Sequence, residues 1–214
     1  MERSRYIVVE GPIGVGKTTL TKLLAQRFGG RTVFEVVEEN PFLPLFYQDR
    51  DKHAFQTQLF FLLSRFKQQQ DLFQQDLFNQ VTVSDYLFAK DRIFASLTLN
   101  AAEMALYDRV YDMLRPRVVR PDLVIYLQAR LDVLLTRIKK RGREFERAFD
   151  ADYLARLSST YNDFFFHYEE TPLLVVNTSD IDLVDNAADQ DAILDLVRRH
   201  KKGVQHYIPR GSAA

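Results

Sequence analysis

Residues 11–18 run Gly-Pro-Ile-Gly-Val-Gly-Lys-Thr, a fit to the pattern G-x-x-x-x-G-K-[ST]. Chemistry on phosphates needs these residue types at this spacing. Glycines let the backbone curl until successive N–H groups point inward at phosphate oxygens. A helix that starts just after them adds the positive end of its dipole. Lys17 is long enough to reach the β and γ phosphates, and the Thr18 hydroxyl can ligate Mg2+. Three of the chain's eight glycines fall between Gly11 and Gly16, so the flexible residues are concentrated in one turn. The expected triphosphate-binding positions are Gly11, Ile13, Gly14, Val15, Gly16, Lys17, Thr18 and Thr19. Alone, the turn states only that a nucleoside triphosphate binds.

A small-molecule phosphotransferase also needs a base beside the acceptor hydroxyl and a cationic lid. Glu38-Glu39-Asn40-Pro41 follows a predicted strand, and carboxylates at the carboxyl ends of parallel strands face the ligand crevice. A carboxylate there can take the proton of an attacking hydroxyl, and a loose transition state lets that proton leave late. Asp85 ends another predicted strand and is a second candidate to hold Mg2+. Arg137, Arg141 and Arg143, with Lys139 and Lys140 between them, form the cationic segment. Arg137 and Arg141 share a helix face, and Gly142 frees the chain to turn Arg143 inward. Convergent guanidiniums would stabilise charge on a transferring phosphoryl group. The bland alternatives are a solvated acidic loop and a solvated basic helix end. His53, His167, His200 and His206 have no metal-ligand spacing and are expected on the surface or in the tail.

The elements that must hold these groups alternate along the chain. Tyr6–Val9 is a short apolar strand, and Thr18–Phe28 has helical spacing ended by Gly29-Gly30. Strands are expected at Thr32–Val37, Val81–Val83, Asp122–Leu127 and Leu173–Val176. Helices are expected over about 54–79, 87–97, 102–114, 131–140, 152–169 and 186–199. The 54–79 pattern is apolar nearly all round, which fits a core helix or one that also packs on a second subunit. Apolar strands without period-two alternation, separated by helices, predict an α/β fold with a parallel sheet covered on both faces.

The chain has 214 residues, 46% of them hydrophobic and 27% charged, ordinary for a single globular domain. Lys+Arg and Asp+Glu are 29 each, so the formal charge is 29 − 29 = 0, which gives no support to nucleic-acid or membrane-surface binding. Cysteine is absent, which excludes disulfides, thiolate zinc sites and a thiol nucleophile. No segment approaches the ~20 apolar residues of a membrane span, and no secretory leader is evident, so a cytoplasmic protein is expected. No Asn-Lys-x-Asp guanine-reading motif follows a later strand.

The blocks Gly11–Thr18, Glu-Val-Val-Glu-Glu at 35–39, Phe55–Arg65 ending Leu-Leu-Ser-Arg, Lys90-Asp-Arg-Ile-Phe-Ala at 90–95, Val-Ile-Tyr-Leu-Gln at 124–128 and Arg-Ile-Lys-Lys-Arg-Gly-Arg at 137–143 come in the order found in deoxynucleoside kinases. The chain resembles that family over roughly residues 5 to 200. The resemblance implies ATP-dependent, Mg2+-assisted phosphorylation of a deoxynucleoside 5′-hydroxyl in nucleotide salvage. It implies a phosphate-loop NTPase-type three-layer fold, with a five-stranded parallel sheet flanked by helices. One kinase domain would span 1–205, with an arginine-rich lid at about 137–147 and a tail at 206–214. Glu39 takes the place of the base that deprotonates the acceptor, with Glu38 as the neighbouring alternative. Gln58 matches the glutamine on the nucleobase edge, and Arg65 with Asp91 the pair that separates purine and cytosine enzymes from thymidine-preferring ones. Tyr47 and Glu146 match the residues at the sugar 3′-hydroxyl. Lys17, Arg137, Arg141 and Arg143 serve the phosphates. The family is usually a homodimer through a helical bundle, here the 54–79 helix.

One departure stands out. The family commonly has Asp/Glu-Arg-Ser at the end of the third strand, and this chain has Asp85-Tyr86-Leu87. Bulky Phe61 at the pocket wall leads to an expectation of deoxyadenosine or deoxyguanosine, with deoxycytidine next. The runner-up enzyme is a nucleoside monophosphate kinase of thymidylate type. The non-enzyme alternative is a regulatory module that binds nucleotide without turnover.

Overall fold

The computed structural model describes residues 5–35, 39–75, 81–142, 151–184 and 186–209, with backbone alone at 72–75. These fall into two compact units. The first comprises residues up to Phe34, the stretch 79–87 and everything from Arg120 on; the second comprises 35–78 and 88–119. The second unit is thus built from two excursions of the chain, either side of the third strand.

The first unit carries the sheet. Its strands are β1 (Arg5–Glu10), β2 (Arg31–Val33), β3 (Val81–Ser84), β4 (Leu123–Gln128), β5 (Leu173–Asn177) and β6 (Val204–Tyr207). They pair in the order β2-β3-β1-β4-β5-β6, every pair parallel. β1 is central, and Ile7, Val8 and Val9 are wholly buried, which explains the unbroken apolar run. Val8 lies opposite Ser84 and Val124, so the turns after β1 and β3 emerge side by side. Helices α1 (Lys17–Phe28), α6 (Leu131–Arg141), α7 (Ala151–Phe166) and α8 (Ala187–Arg199) complete this unit.

The sheet has six strands where five were expected. β6 is polar and only half-covered, with Val204 and His206 exposed, so its sequence shows neither an apolar run nor a turn signal. It is recruited by backbone pairing to β5 and extends into the stretch expected as a tail. His200, expected on the surface, is buried between α8 and β6. Its ring lies 3.2 Å from both Gln205 Oε1 and the Gly203 carbonyl oxygen. β2 ends at Val33, earlier than the expected Val37, and residues 36–37 lie outside the described residues.

The second unit is helical: α2 (Leu43–Gln48), α3 (Arg50–Gln75), α4 (Lys90–Thr98) and α5 (Ala101–Leu114), followed by a 3-10 turn at Arg115–Arg117. Its core is Leu62, Phe88, Ala95, Tyr107 and Tyr111, with Phe55, Leu59 and Phe66 of α3 packed around it. The apolar spread on α3 that predicted burial on several sides is only partly used within this unit, because Leu63 remains 48% exposed. Asn100 starts α5 with a capping box: its side chain accepts from Ala102 and Glu103 N–H, and Glu103 accepts from the Asn100 N–H. α4 begins at Lys90, later than the expected start at Leu87, whose amide is bound by the Glu10 carboxylate.

Candidate active site

Between β1 and α1 the phosphate loop is packed too tightly for most side chains. A Cβ on Gly11 would meet the Leu127 carbonyl oxygen at 2.5 Å. Gly14 has φ +84°, and a Cβ there would meet Ile138 Cγ1 at 2.7 Å and the Leu134 carbonyl oxygen at 3.0 Å. No side chain caps α1, and no acid stands in its first turn, so its leading N–H groups suit an anion. Lys17 Nζ donates to the Gly11 and Pro12 carbonyls at 2.8 and 3.1 Å, folded along the loop it would serve. Thr18 Oγ1 donates to Asp85 Oδ2 at 2.8 Å, so the two hard oxygen groups expected at Mg2+ meet. Asp85 is itself placed by its own N–H, which donates to the Val33 carbonyl at 3.1 Å.

Glu10 does more than end β1. Its carboxylate is wholly buried and accepts from the Gly11 N–H at 2.9 Å, the Leu87 N–H at 2.8 Å and the Tyr161 hydroxyl at 3.1 Å. It therefore fastens the phosphate loop to the chain just past Asp85. Sequence reasoning passed over it, although an acid at the end of an apolar strand is a signal that it has buried partners. Tyr86, where the family commonly carries arginine, is wholly buried and brings no cation to this end of β3.

Of the three arginines of the expected lid, Arg137 and Arg141 are among the described residues. Arg137 donates through Nη1 to the Val15 carbonyl and Thr178 Oγ1 at 3.3 and 3.1 Å, and through Nη2 to the Thr178 and Ile181 carbonyls at 2.8 and 3.4 Å. In this structure it is thus engaged by the phosphate loop's backbone and the residues after β5, rather than displayed beside Arg141. Shared helix-face spacing was right, but it could not show that β5 ends in a row of acceptors. Burial lowers the Arg137 pKa from the ordinary arginine value, with nearby Asp182 opposing. Arg141 is exposed at the last turn of α6, before Gly142 at φ +70°. Arg143, Glu146 and the rest of the expected lid lie outside the described residues, as does Glu38.

In the second unit, Gln58, Phe61 and Arg65 follow at three and then four residues along one face of α3. Gln58 is buried, and its Nε2 donates to Thr98 Oγ1 at 3.3 Å. Arg65 is buried under the Phe61 ring, its guanidinium carbon 4.9 Å from the ring centre. Its Nη1 pairs with Asp91, as expected, and its Nη2 pairs with Glu35. Lys90 Nζ closes the chain on Glu35 Oε2 at 2.6 Å. Glu35 and Lys90 were not anticipated in this role; the signal available was an acid set between apolar Phe34 and Val36-Val37, and a lysine directly after apolar Leu87-Phe88-Ala89. Burial pushes the Glu35 pKa up, but Arg65 and Lys90 outweigh it and hold the carboxyl well below the usual glutamate value. Tyr47 on α2 is half-buried, edge-on to Phe46 with ring centres 5.5 Å apart. Glu39 is exposed in a turn, next to buried Asn40. Asn40 Nδ2 donates to the Thr57 carbonyl at 3.2 Å, and Asn40 Oδ1 accepts from the Phe42 N–H at 3.0 Å. The residue beside the expected base is therefore anchored to α3.

Glu10→Gln is expected to cost about 1–3 kcal/mol in urea unfolding, because an amide turns a donor toward three donors and leaves one buried group unsatisfied. ATP affinity should fall with it. The Glu35 pKa is lowered by folding, so its stabilising contribution is present above the unfolded value of about 4.3 and is lost as pH falls. The stability difference between wild type and Glu35→Gln should therefore be full at neutral pH and shrink below about pH 4 in acid titrations of the unfolding midpoint.

A family model described as deoxynucleoside kinase matches residues 7–202. A deoxyguanosine kinase of Bacillus subtilis (strain 168) is 40% identical over 187 residues, covering 86% of this chain and 90% of that protein. A deoxyadenosine/deoxycytidine kinase of the same organism is 32% identical over 203 residues, covering 91% and 92%. Among solved structures, a deoxyadenosine kinase from M. mycoides with products dCMP and a flexible dCDP bound superposes with a TM-score of 0.79 at 26% identity, over 90% of this chain and 98% of that one. The same enzyme with bound dATP gives 0.77 at 25% identity, over 91% and 99%. Because the match runs through the phosphate loop, the Arg65–Asp91 pair and the last helix alike, this chain belongs to the deoxynucleoside kinases, phosphotransferases that act on a deoxynucleoside hydroxyl.

Proposed function

We propose that this kinase transfers the γ-phosphate of ATP to the 5′-hydroxyl of a purine deoxynucleoside, deoxyguanosine or deoxyadenosine, with deoxycytidine the next acceptor. The observation that carries this reading is the buried Arg65–Asp91 pair on the α3 face that also bears Gln58 and Phe61. A guanidinium and a carboxylate side by side offer donors and an acceptor to one edge of a nucleobase. The curated relatives at 40% and 32% identity, named for deoxyguanosine, deoxyadenosine and deoxycytidine, support the same class. An uncharged acceptor suits this arrangement better than a monophosphate, which needs further cations for its own phosphate.

In this mechanism the Glu39 carboxylate takes the proton of the 5′-hydroxyl as its oxygen attacks the γ-phosphorus. Lys17, Arg141 and Arg143 offset the charge on the transferring group, and the loop amides of residues 13–19 hold the β-phosphate side. Arg137 acts by bracing the Val15 carbonyl. Mg2+ fits the hard oxygens of Thr18 and Asp85, which already sit within hydrogen-bond distance; waters and phosphates would complete its shell. Tyr47 and Glu146 serve the sugar 3′-hydroxyl. We also infer a homodimer formed through the α3 region, supported by the exposed Leu63, Leu106 and Met113 of α3 and α5. A role in nucleotide salvage in the cytoplasm completes the reading.

A radiolabelled ATP assay against the four deoxynucleosides and their monophosphates tests it. Transfer to purine deoxynucleosides is expected; transfer to monophosphates alone, or none, overturns it. Glu39→Gln should leave ATP binding intact and lower kcat roughly 10²-fold or more, the range for a lost general base. Near-normal turnover in that variant removes Glu39 from the role. Arg65→Met should move acceptor preference toward thymidine, measured as a ratio of kcat/KM values.

A further inference from the structure

Thr178 is wholly buried directly after β5. Its N–H donates to the carbonyl of Gln128, the last residue of β4, at 2.7 Å, so its backbone is fixed by the sheet. Its hydroxyl lies 3.1 Å from that same carbonyl oxygen and 3.4 Å from the Val15 carbonyl oxygen of the phosphate loop. The hydroxyl oxygen also accepts from Arg137 Nη1 at 3.1 Å, and the same Nη1 lies 3.3 Å from the Val15 oxygen. Two donors, one from the end of β5 and one from α6, therefore converge on a single carbonyl of the loop. That carbonyl belongs to the Val15–Gly16 peptide. A peptide unit is planar and trans, so its N–H points opposite to its C=O. Whatever holds the Val15 oxygen thereby aims the Gly16 N–H away from β5 and α6. Gly16 does not settle this orientation by itself. It stands at φ +104°, a Cβ there would meet nothing within 4 Å, and glycine takes either sign of φ about as readily. The peptide ahead of such a residue can turn over unless its carbonyl is held.

We infer that Thr178 is a positioning residue for the donor triphosphate: together with Arg137 it holds the Val15 carbonyl, and so aims the Gly16 N–H at a phosphate oxygen. The inference rests on the reading above in which ATP is the phosphate donor. An amide that must turn before it can bond loses part of its binding energy to that turn, and one held in place does not. Thr178 acts twice over. Its proton is within reach of the Val15 oxygen, and its lone pair fixes the Arg137 nitrogen that reaches the same atom. It does this from the end of a strand, without needing to touch the phosphate.

The test compares wild type, Thr178→Val, which removes the hydroxyl and keeps the branched shape, and Thr178→Ser, which keeps the hydroxyl. The ATP Kd, measured by calorimetric titration without nucleoside, should rise about tenfold in Thr178→Val, the scale of one buried hydrogen bond left unmade. The KM for ATP should follow, and the KM for the deoxynucleoside should stay at the wild-type value. Thr178→Ser should return the ATP values to those of wild type. A second readout sees the peptide itself. Val-Gly occurs once in the chain, at 15–16. Protein labelled at the valine carbonyl carbon and the glycine nitrogen therefore gives one correlated NMR resonance for that pair. Its carbonyl shift reports the bonds to the Val15 oxygen, and its amide shift reports contact with phosphate. In wild type, ATP with Mg2+ should move the amide proton downfield. In Thr178→Val the carbonyl carbon should move upfield before any nucleotide is added, as it does when a hydrogen bond is lost. An ATP Kd that does not change overturns the proposal, and so does an unmoved carbonyl shift. Equal rises in both KM values, or a Thr178→Ser variant as weak as Thr178→Val, also overturn it, since either marks a general disturbance of the fold. Failure of the wild type to bind ATP would reject the donor reading, and the carbonyl shift would still decide whether Thr178 holds the peptide.

Discussion

A single buried carboxylate, that of Glu10, conditions the geometry of the phosphate loop and of the strand end beside it. It accepts from the first amide of the loop, from the amide two residues past Asp85 and from the Tyr161 hydroxyl. Three donors around one acceptor group fix three segments at once, and burial makes each bond costly to leave unmade. The Thr18–Asp85 contact is a consequence of this arrangement, since Asp85 follows β3 and Thr18 opens α1. The parallel register of β1 with β3 brings the two ends together, and Glu10 sets them at hydrogen-bond distance.

The helical unit follows a different logic. The sheet-bearing unit hides apolar strands, whereas here four charged side chains are taken out of water within a core of aromatic residues. Such a cluster is weak evidence for stability, because an apolar replacement of similar shape often does as well. Its retention makes better sense as a way to hold donors and acceptors at fixed angles. Phe61 contributes from the other side, since its ring over the Arg65 guanidinium limits how that plane can tilt.

Much of this was legible in the residue order. β1, β4 and β5 are apolar runs, and each lies within a residue or so of its expected bounds. The phosphate loop was visible because its glycines answer a steric demand that few other folds make. Arg65 and Asp91 were placed through resemblance, and they do meet. What escaped was decided by partners distant in sequence. β6 exists because β5 offers it a ladder, although Val-Gln-His-Tyr has no strand signature of its own. Helical spacing set Arg137 beside Arg141, but the carbonyls that capture it belong to residues 15, 178 and 181. Glu35 read as part of a strand, and its role depends on Arg65 and Lys90, some 30 and 55 residues away.

The attachment of α6 has a mechanical corollary. Its residues Leu134 and Ile138 press on Gly14 so closely that not even a methyl group would fit, and Arg137 grips the next carbonyl along. Interiors packed to this density have little compressibility. A shift of the phosphate loop at Gly14 and Val15 would therefore be felt first by Leu134, Arg137 and Ile138 of α6. Arg141 closes the same helix one turn beyond Arg137, so the loop and this exposed cation share a single rigid support.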